Sequence, residues 1–384
     1  MGGCVDGWAD TAFREVREVF EATFADGRNL GAAVAAFVGG RAVVDLWGGL
    51  ADARTGRAWE RDTPGVTFSC TKAITATAAL RVAQETGTGW DAPVAAWWPE
   101  YAIAGKEATT LADLLTHRAG VPAFDRPVTV AEAADPAAMA ALLAPQYPAW
   151  EPGTGHGYHA LTFGWLAGEF VRRHTGATVG QYARRHLGPE LWIGVSGADA
   201  ERTARVASPP AEEMAWSAEA GPIDAATVAR MAQAYRDPAS PLMRASANPT
   251  GSYNKPEVLA GGWPATGLVT TARALARFYR DLAAGALLAP GLLGDAIQER
   301  VRGSDQVLLL ESAFGLGYML PSQNFILPEP ARRTAFGHPG AGGAVGLGDV
   351  DNQVAIAIIP NLRRDWLAGD RRAYDLIAAV YNAL

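Results

Sequence analysis

The chain has 384 residues, 49% of them apolar and 19% charged, with a formal net charge of −7. That length can bury a sizeable core in one large domain or two interleaved ones, and the composition is that of a globular protein. The acidic balance, with arginines scattered apart from short pairs such as Arg172-Arg173 and Arg184-Arg185, offers no basic stripe for phosphates and excludes nucleic acid as a partner.

The opening "MGGCVDGWAD" has neither the positive nor the apolar region of a signal peptide. No run approaches the roughly 18 apolar residues that cross a bilayer. The expectation is a cytoplasmic protein without a membrane partner. The two cysteines, Cys4 and Cys70, make no disulfide framework, and neither sits in a metal-ligand spacing, so no metal or other cofactor is expected.

In chain order, residues 9–26 carry Phe13, Val16, Val19, Phe20 and Phe24 at helical spacing and stop at Gly27. "GAAVAAFVGGRAVVDLWGG" reads as two apolar strands around a Gly39-Gly40 hairpin turn. A helix is predicted over about 70–85, ending near Gly87. Residues 90–261 are mostly helical in pattern, with Pro- and Gly-rich joints, and "TTARALARFYRDLAAG" follows as another helix. "FGLGYML", "AVGLGDV" and "QVAIAIIPN" read as strands, the last two joined at Asp351-Asn352, and "AYDLIAAVYNAL" reads as a closing helix. Strands near both ends joined by tight turns predict an antiparallel sheet. The predicted class is α+β, with a discontinuous sheet domain over 1–88 and 262–384 and a mainly helical domain over 89–261.

The chemistry starts at "FSCTKAITATAAL", where Ser69 precedes Lys72 by three residues at a helix start. Only three lysines stand against thirty arginines in the chain. A serine becomes a nucleophile when a neighbour takes its proton, and a lysine can do so when burial or nearby charge lowers its pKa. A helix N-terminus disfavours an ammonium and supplies N–H groups for an oxyanion. An N-cap serine beside a solvated lysine would give the same letters, and the chain holds a second copy, Ser252-Tyr253-Asn254-Lys255. That copy precedes Pro256 in a polar, turn-rich stretch, whereas the first opens an apolar helix.

Four segments, "FSCTKAITATAAL", "DAPVAAWWPEYAIAGKEATTLADLLTHRAGVP", "WEPGTGHGYHALTFGWLAGEFVRRHTG" and "AFGHPGAGGAVGLGDV", resemble the serine β-lactamase-related esterases. These are the family VIII carboxylesterases, relatives of class C β-lactamases and DD-peptidases, and the likeness spans nearly the whole chain. The resemblance implies a β-lactamase/DD-peptidase-like fold with the site between the two domains. It implies Ser69 as nucleophile, Lys72 as its proton partner and Tyr158 as a phenolate-like base that relays protons to the leaving group. Where β-lactamases carry an asparagine two residues after this tyrosine, the chain has Ala160. Where they carry Lys-Thr-Gly, it has His338-Pro339-Gly340. The residue after that triplet, Ala341, would share the oxyanion hole with the N–H of Ser69. Loss of the lysine and threonine that grip a substrate carboxylate favours esters without one, with slow β-lactam turnover.

His338 and Gly340 are candidate substrate contacts, as are Trp150 and Trp263 for an apolar acyl pocket; Trp97 and Trp98 are weaker choices. Ser252-Tyr253-Asn254 is expected at most as a lip near the site, His117 as a brace, and His156 and His159 as solvated neighbours of Tyr158. No G-x-S-x-G elbow is present, and "GAGGAVG" from Gly340 lacks the βαβ context of a dinucleotide loop. The expected reaction is ester cleavage through an acyl-enzyme on a small-molecule ester or acyl substrate. The alternatives are an acyltransferase or peptide cyclase using the same intermediate, or a scaffold homologue without catalysis.

Overall fold

The structure, a computed structural model, describes residues 5–208, 223–364 and 370–384; Cys4 lies outside the described residues. Twelve strands occur among these residues: β1 (Val5–Ala9), β2 (Gly31–Val38), β3 (Arg41–Asp52), β4 (Arg57–Ala58), β5 (Gly65–Val66), β6 (Trp192–Ile193), β7 (Leu268–Thr270), β8 (Val301–Ser304), β9 (Glu311–Phe314), β10 (Ala335–Pro339), β11 (Val345–Asp349) and β12 (Val354–Pro360). The main sheet runs β1-β3-β2-β12-β11-β10, with β4 beside β3, and every pairing in it is antiparallel. Gly39 and Gly40 have φ of 56° and 77°, the two left-handed positions that a tight hairpin needs. The second predicted turn, at Asp351-Asn352, joins β11 to β12.

β2 and β12 are apolar at nearly every position because both faces are covered. Ala32, Val34 and Ala36 meet Val16 and Phe20 of the Arg14–Ala25 helix and Ile377 and Val380 of the Arg371–Asn382 helix. Ala33, Ala35 and Phe37 face Leu275, Phe278 and Leu282 of the Ala272–Ala283 helix. The period-2 alternation of a strand divides one apolar run between two cores. Behind the second core lies the Thr71–Thr86 helix, buried at twelve positions and closed by Gly87 at φ 70°, whose N–H donates to Ala83 O. Up to Ala83 this helix shows no solvent-facing side, because it is packed nearly all round; only its last turn, Gln84 to Thr86, is exposed.

Residues 111–260 contain short helices opened by capping boxes at Thr110/Asp113, Thr129/Glu132 and Thr178/Gln181. Their core gathers Trp98, Tyr101, Leu114, Phe124, Trp165 and Trp263. Trp97 and Trp98 are packing residues, against Phe170 and Tyr101 respectively.

One strand expectation needs correction, and one strand is unexpected. "FGLGYML" is not a regular strand. Phe314 ends β9, and Met319 makes isolated bridges to Phe314 and to Gly337 of β10, so this stretch ties the β8–β9 hairpin to the sheet edge. β1 has no apolar run; its alternating half-exposed pattern and Gly7 at φ 93° place it as an edge strand against β3.

Candidate active site

The chain is led to Ser69 by β5, which pairs with β7, and by Thr67, whose N–H donates to Leu268 O at 2.9 Å. Phe68 then turns it with φ 48°. A left-handed conformation at a bulky residue costs on the order of 1–2 kcal/mol, and the surroundings hold it. The ring packs edge-on against Tyr253 at 5.1 Å, the Arg363 guanidinium lies 5.2 Å from its centroid, and Thr71 Oγ1 donates to Phe68 O at 2.5 Å. Turn bonds from the N–H groups of Cys70, Thr71 and Lys72 to Thr67, Phe68 and Ser69 O then wind the chain into the Thr71–Thr86 helix. Ser69 stands half-buried just before the Cys70 N-cap, and its N–H donates to no backbone carbonyl among the described residues.

Lys72 is fully buried. Its Nζ lies 3.3 Å from Ser69 Oγ, 2.7 Å from Ala160 O and 3.2 Å from Ala265 O, with the Tyr158 ring centroid at 4.7 Å. No carboxylate pairs with it among the described residues, and burial drives its pKa well below the ordinary lysine value. Ala160, which lacks the asparagine side chain, serves instead through its carbonyl. A neutral amine here gives its two hydrogens to the two carbonyls and turns its lone pair to Ser69 Oγ.

Tyr158 is buried, with its hydroxyl 3.4 Å from His338 Nε2. Burial pushes its pKa up, and hydrogen bonding with Ser69 offsets only part of this. The expectation of an easily ionised phenol required a neighbouring ammonium. Burial works against the charged form of both groups.

Four of the six histidines surround Tyr158, and all four are buried. This corrects the solvated role expected of His156 and His159. His159 receives Val121 N–H at Nε2 (3.0 Å) and donates from Nδ1 to Gly157 O (2.7 Å). His117, at φ 60°, accepts the His159 N–H at Nδ1 (3.0 Å) and packs 5.0 Å from the Tyr158 ring; it braces the tyrosine segment. His156 Nε2 meets Ser312 Oγ at 2.9 Å, and that hydroxyl donates to Asp305 Oδ2 at 2.8 Å. Asp305, 1% exposed, accepts the Tyr158 N–H at 3.0 Å and the N–H groups of Val307 and Leu308 at 2.8 Å each. Sequence reasoning does not find this carboxylate, whose only local signal is an aspartate opening the β8–β9 turn. Among the described residues no group of three His, Cys, Asp or Glu side chains could hold a metal ion.

The strand end opposite Ser69 is β10. His338 pairs with Gly346, its carbonyl accepts from Cys70 Sγ at 3.2 Å, and its Nδ1–H donates to Pro339 O at 2.6 Å. That tautomer leaves Nε2 to accept from Tyr158. Burial holds the His338 pKa down at about 3 and raises that of the Cys70 thiol to about 12. Pro339 closes the strand where no ladder N–H is required. A Cβ on Gly340 would lie 2.2 Å from Thr67 O, so glycine lets the β10–β11 turn rest against the Ser69 segment. The turn is closed by Gly340 N–H to Ala344 O (2.6 Å), and Ala341 N–H meets no backbone carbonyl among the described residues.

Ser69, Tyr158, His338, Gly340 and Ala341 share one cavity of about 710 Å³, and Lys72 lies directly behind Ser69. Trp263 is on its wall, 2% exposed, packed on Tyr253 and Trp165. Trp150 is not on that wall. It stands 5.8 Å edge-on from His159 and fills the space beside Gly157, where a Cβ would come within 2.8 Å of its ring. Ser252, Tyr253 and Asn254 all line the cavity, and the Asn254 amide clamps the Val206 N–H and C=O at 2.9 and 2.8 Å. Tyr253 donates to Thr266 Oγ1. This lip is a built part of the wall.

The chain that carries this site belongs to the Beta-lactamase family, whose description matches residues 16–380. The chain is 32% identical over 374 residues to "Esterase/beta-lactamase LipL" of Mycobacterium tuberculosis, covering 94% of this chain and 83% of that protein. Among solved structures it resembles a family VIII carboxylesterase (31% identity, TM-score 0.86, 99% of this chain and 100% of that one). It also resembles a penicillin-binding protein homologue from Caulobacter crescentus (36% identity, TM-score 0.85, the same coverage). The α+β class and the β-lactamase/DD-peptidase-like fold read from the sequence are those of the structure and of these relatives.

Proposed function

We propose that the chain hydrolyses carboxylic esters of small molecules through an acyl-enzyme on Ser69. The observation that carries this reading is the buried Lys72 amine, 3.3 Å from Ser69 Oγ and hydrogen-bonded to two carbonyls instead of a carboxylate. Lys72 takes the Ser69 proton as Oγ attacks the ester carbonyl. The N–H groups of Ser69 and Ala341 hold the developing oxyanion. Tyr158 then passes a proton to the departing alcohol, and its own is replaced from Lys72. Water enters by the reverse route and releases the acid.

Neutral His338 supports esters over carboxylate-bearing substrates, because its Nδ1–H is committed to Pro339 O and it carries no charge. Trp263 and Gly340 complete the substrate contacts we propose; Trp150 acts only by supporting the Gly157 segment. Residues 1–88 with 262–384 form the sheet unit of this proposal, and 89–261 the helical unit. No helix among the described residues is long and apolar enough to cross a membrane, and with a free thiol at Cys70 a cytoplasmic location is part of the proposal.

The test is hydrolysis of p-nitrophenyl butyrate by the wild type and by Ser69→Ala. Loss of roughly 10³-fold or more in kcat/KM with an unchanged melting temperature is expected. Equal rates would remove Ser69 from the reaction and favour the scaffold reading.

A further inference from the structure

Ala341, proposed as the second oxyanion donor, sits in a turn closed from within by two backbone hydrogen bonds, Gly340 N–H to Ala344 O at 2.6 Å and Gly343 N–H to Gly340 O at 3.2 Å. Gly342 and Gly343 follow at φ 80° and 100°, and neither has a side chain to pack. Gly342 O, which neither of those bonds uses, is held from the C-terminal helix. Arg372, in the first turn of Arg371–Asn382, is 3% exposed. Its Nη2 donates to Gly342 O at 2.9 Å and to Leu362 O at 3.0 Å. Nη1 donates to Arg28 O at 2.7 Å and Asn29 Oδ1 at 2.8 Å. Nε reaches Asp370 Oδ1 at 2.8 Å, and Nη2 also contacts Asp370 Oδ2.

The turn rests directly on this buried pair. A Cβ on Gly343 would lie 2.3 Å from Asp370 Oδ2 and 2.8 Å from Arg372 Nη2. The planar guanidinium uses its fixed fork of donors to reach three chain segments at once, the 28–29 loop, the 340–344 turn and the end of β12, which an ammonium cannot span. A buried carboxylate partner that aligns the fork is the arrangement that makes such a pair geometrically specific.

We infer that Arg372, aligned by Asp370, is the positioning residue for the oxyanion hole: its hold on Gly342 O sets where the Ala341 N–H points. The inference rests on the assignment of Ala341 as an oxyanion donor. An interaction that matters only when negative charge develops on the carbonyl oxygen affects the transition state and not substrate binding. Two measurements on Arg372→Lys therefore separate positioning from support. The first is kcat and KM with p-nitrophenyl butyrate. The second is the inhibition constant of butylboronic acid, which forms a tetrahedral adduct on a serine oxygen.

The expected result is a kcat about tenfold or more lower with KM within about twofold, and a boronic-acid affinity reduced by a similar factor. Unchanged kcat and boronic-acid affinity, with only the melting temperature lowered, would overturn the inference. So would a raised KM at constant kcat. Where Arg372→Lys fails to fold, Asp370→Asn, which keeps the guanidinium and loses its anchor, is read by the same two criteria. Ser69→Ala in the same assay separates the levels. An inactive Ser69→Ala beside an unaffected Arg372→Lys overturns the positioning role alone, whereas an active Ser69→Ala overturns the acyl-enzyme reading and this inference with it.

Discussion

Lys72 shows how placement decides the chemistry of one side chain. In water its ammonium would be useless as a base near neutral pH; here burial disfavours the charged form and no carboxylate among the described residues restores it. The pH dependence follows from the direction of that shift. Because the pKa is lowered, the amine is the resting form above the depressed value, and the proposed base is lost as pH falls through it. The kcat/KM profile of ester hydrolysis is therefore expected to rise from the acid side to a plateau, with no step from Lys72 near its ordinary value of about 10.4. Lys72→Arg should lack this limb and lose roughly 10³-fold at every pH, because a guanidinium stays protonated. A variant that keeps a tenth of the activity would exclude Lys72 as the base. Asp305 illustrates the complementary case: it touches no reacting atom, yet by accepting the Tyr158 N–H it places the phenol relative to Lys72 and His338.

At the scale of elements, the site is the meeting of a helix start with a strand end. The Thr71–Thr86 helix brings Lys72, and β10 brings His338 and the turn that follows. Two contacts between them matter: Cys70 Sγ on His338 O, and the close approach of Gly340 to Thr67 O. Gly340 needs no positive φ; its role is to leave room. In Gly340→Ala the added methyl, 2.2 Å from a backbone oxygen that cannot rotate away, must push the turn and its Ala341 N–H from Ser69. A displacement of that order is expected to lower kcat by about 10- to 100-fold. Steady-state kinetics beside a melting curve would check this, and wild-type kcat would show that the turn relaxes without consequence.

Over the whole molecule, the buried histidines link the site to acid stability. Burial lowers the pKa of His117, His156, His159 and His338, to about 4 for His159 and about 3 for His338. In the unfolded chain each titrates near 6.5. Between those values the unfolded chain binds more protons than the folded one, so stability rises with pH through this window and is lost as pH falls from about 6.5 toward 4. The carboxylates held down by arginine, Asp52 and Glu132 at about 2, act in a lower window, below their ordinary values near 4. Urea denaturation is expected to show a clearly lower midpoint at pH 5 than at pH 7.5, a difference on the order of a few kcal/mol. Equal midpoints would show that the cluster is hydrated and protonated without cost.

Much of this architecture is legible in the amino-acid sequence itself, wherever the signal is local. The Gly39-Gly40 turn, the Gly87 stop, the terminal helices, β11 and β12 each follow from a period of 2 or 3.6 or from a residue that tolerates positive φ. The Ser69–Lys72 spacing needs only one helical turn, and the likeness of four segments supplies Tyr158 and Ala341. The misses have a common cause. β1 and the β8–β9 hairpin lack apolar runs and exist because another strand lies beside them. The burial of His156 and His159 and the displacement of Trp150 from the cavity wall depend on what surrounds each group. Asp305 meets the Tyr158 N–H across 147 residues, and Arg372 reaches Asn29 across 343. Periodicity and turn chemistry carry information over a few residues; desolvation and hydrogen-bond partnership are set by segments that become neighbours only when the chain has folded.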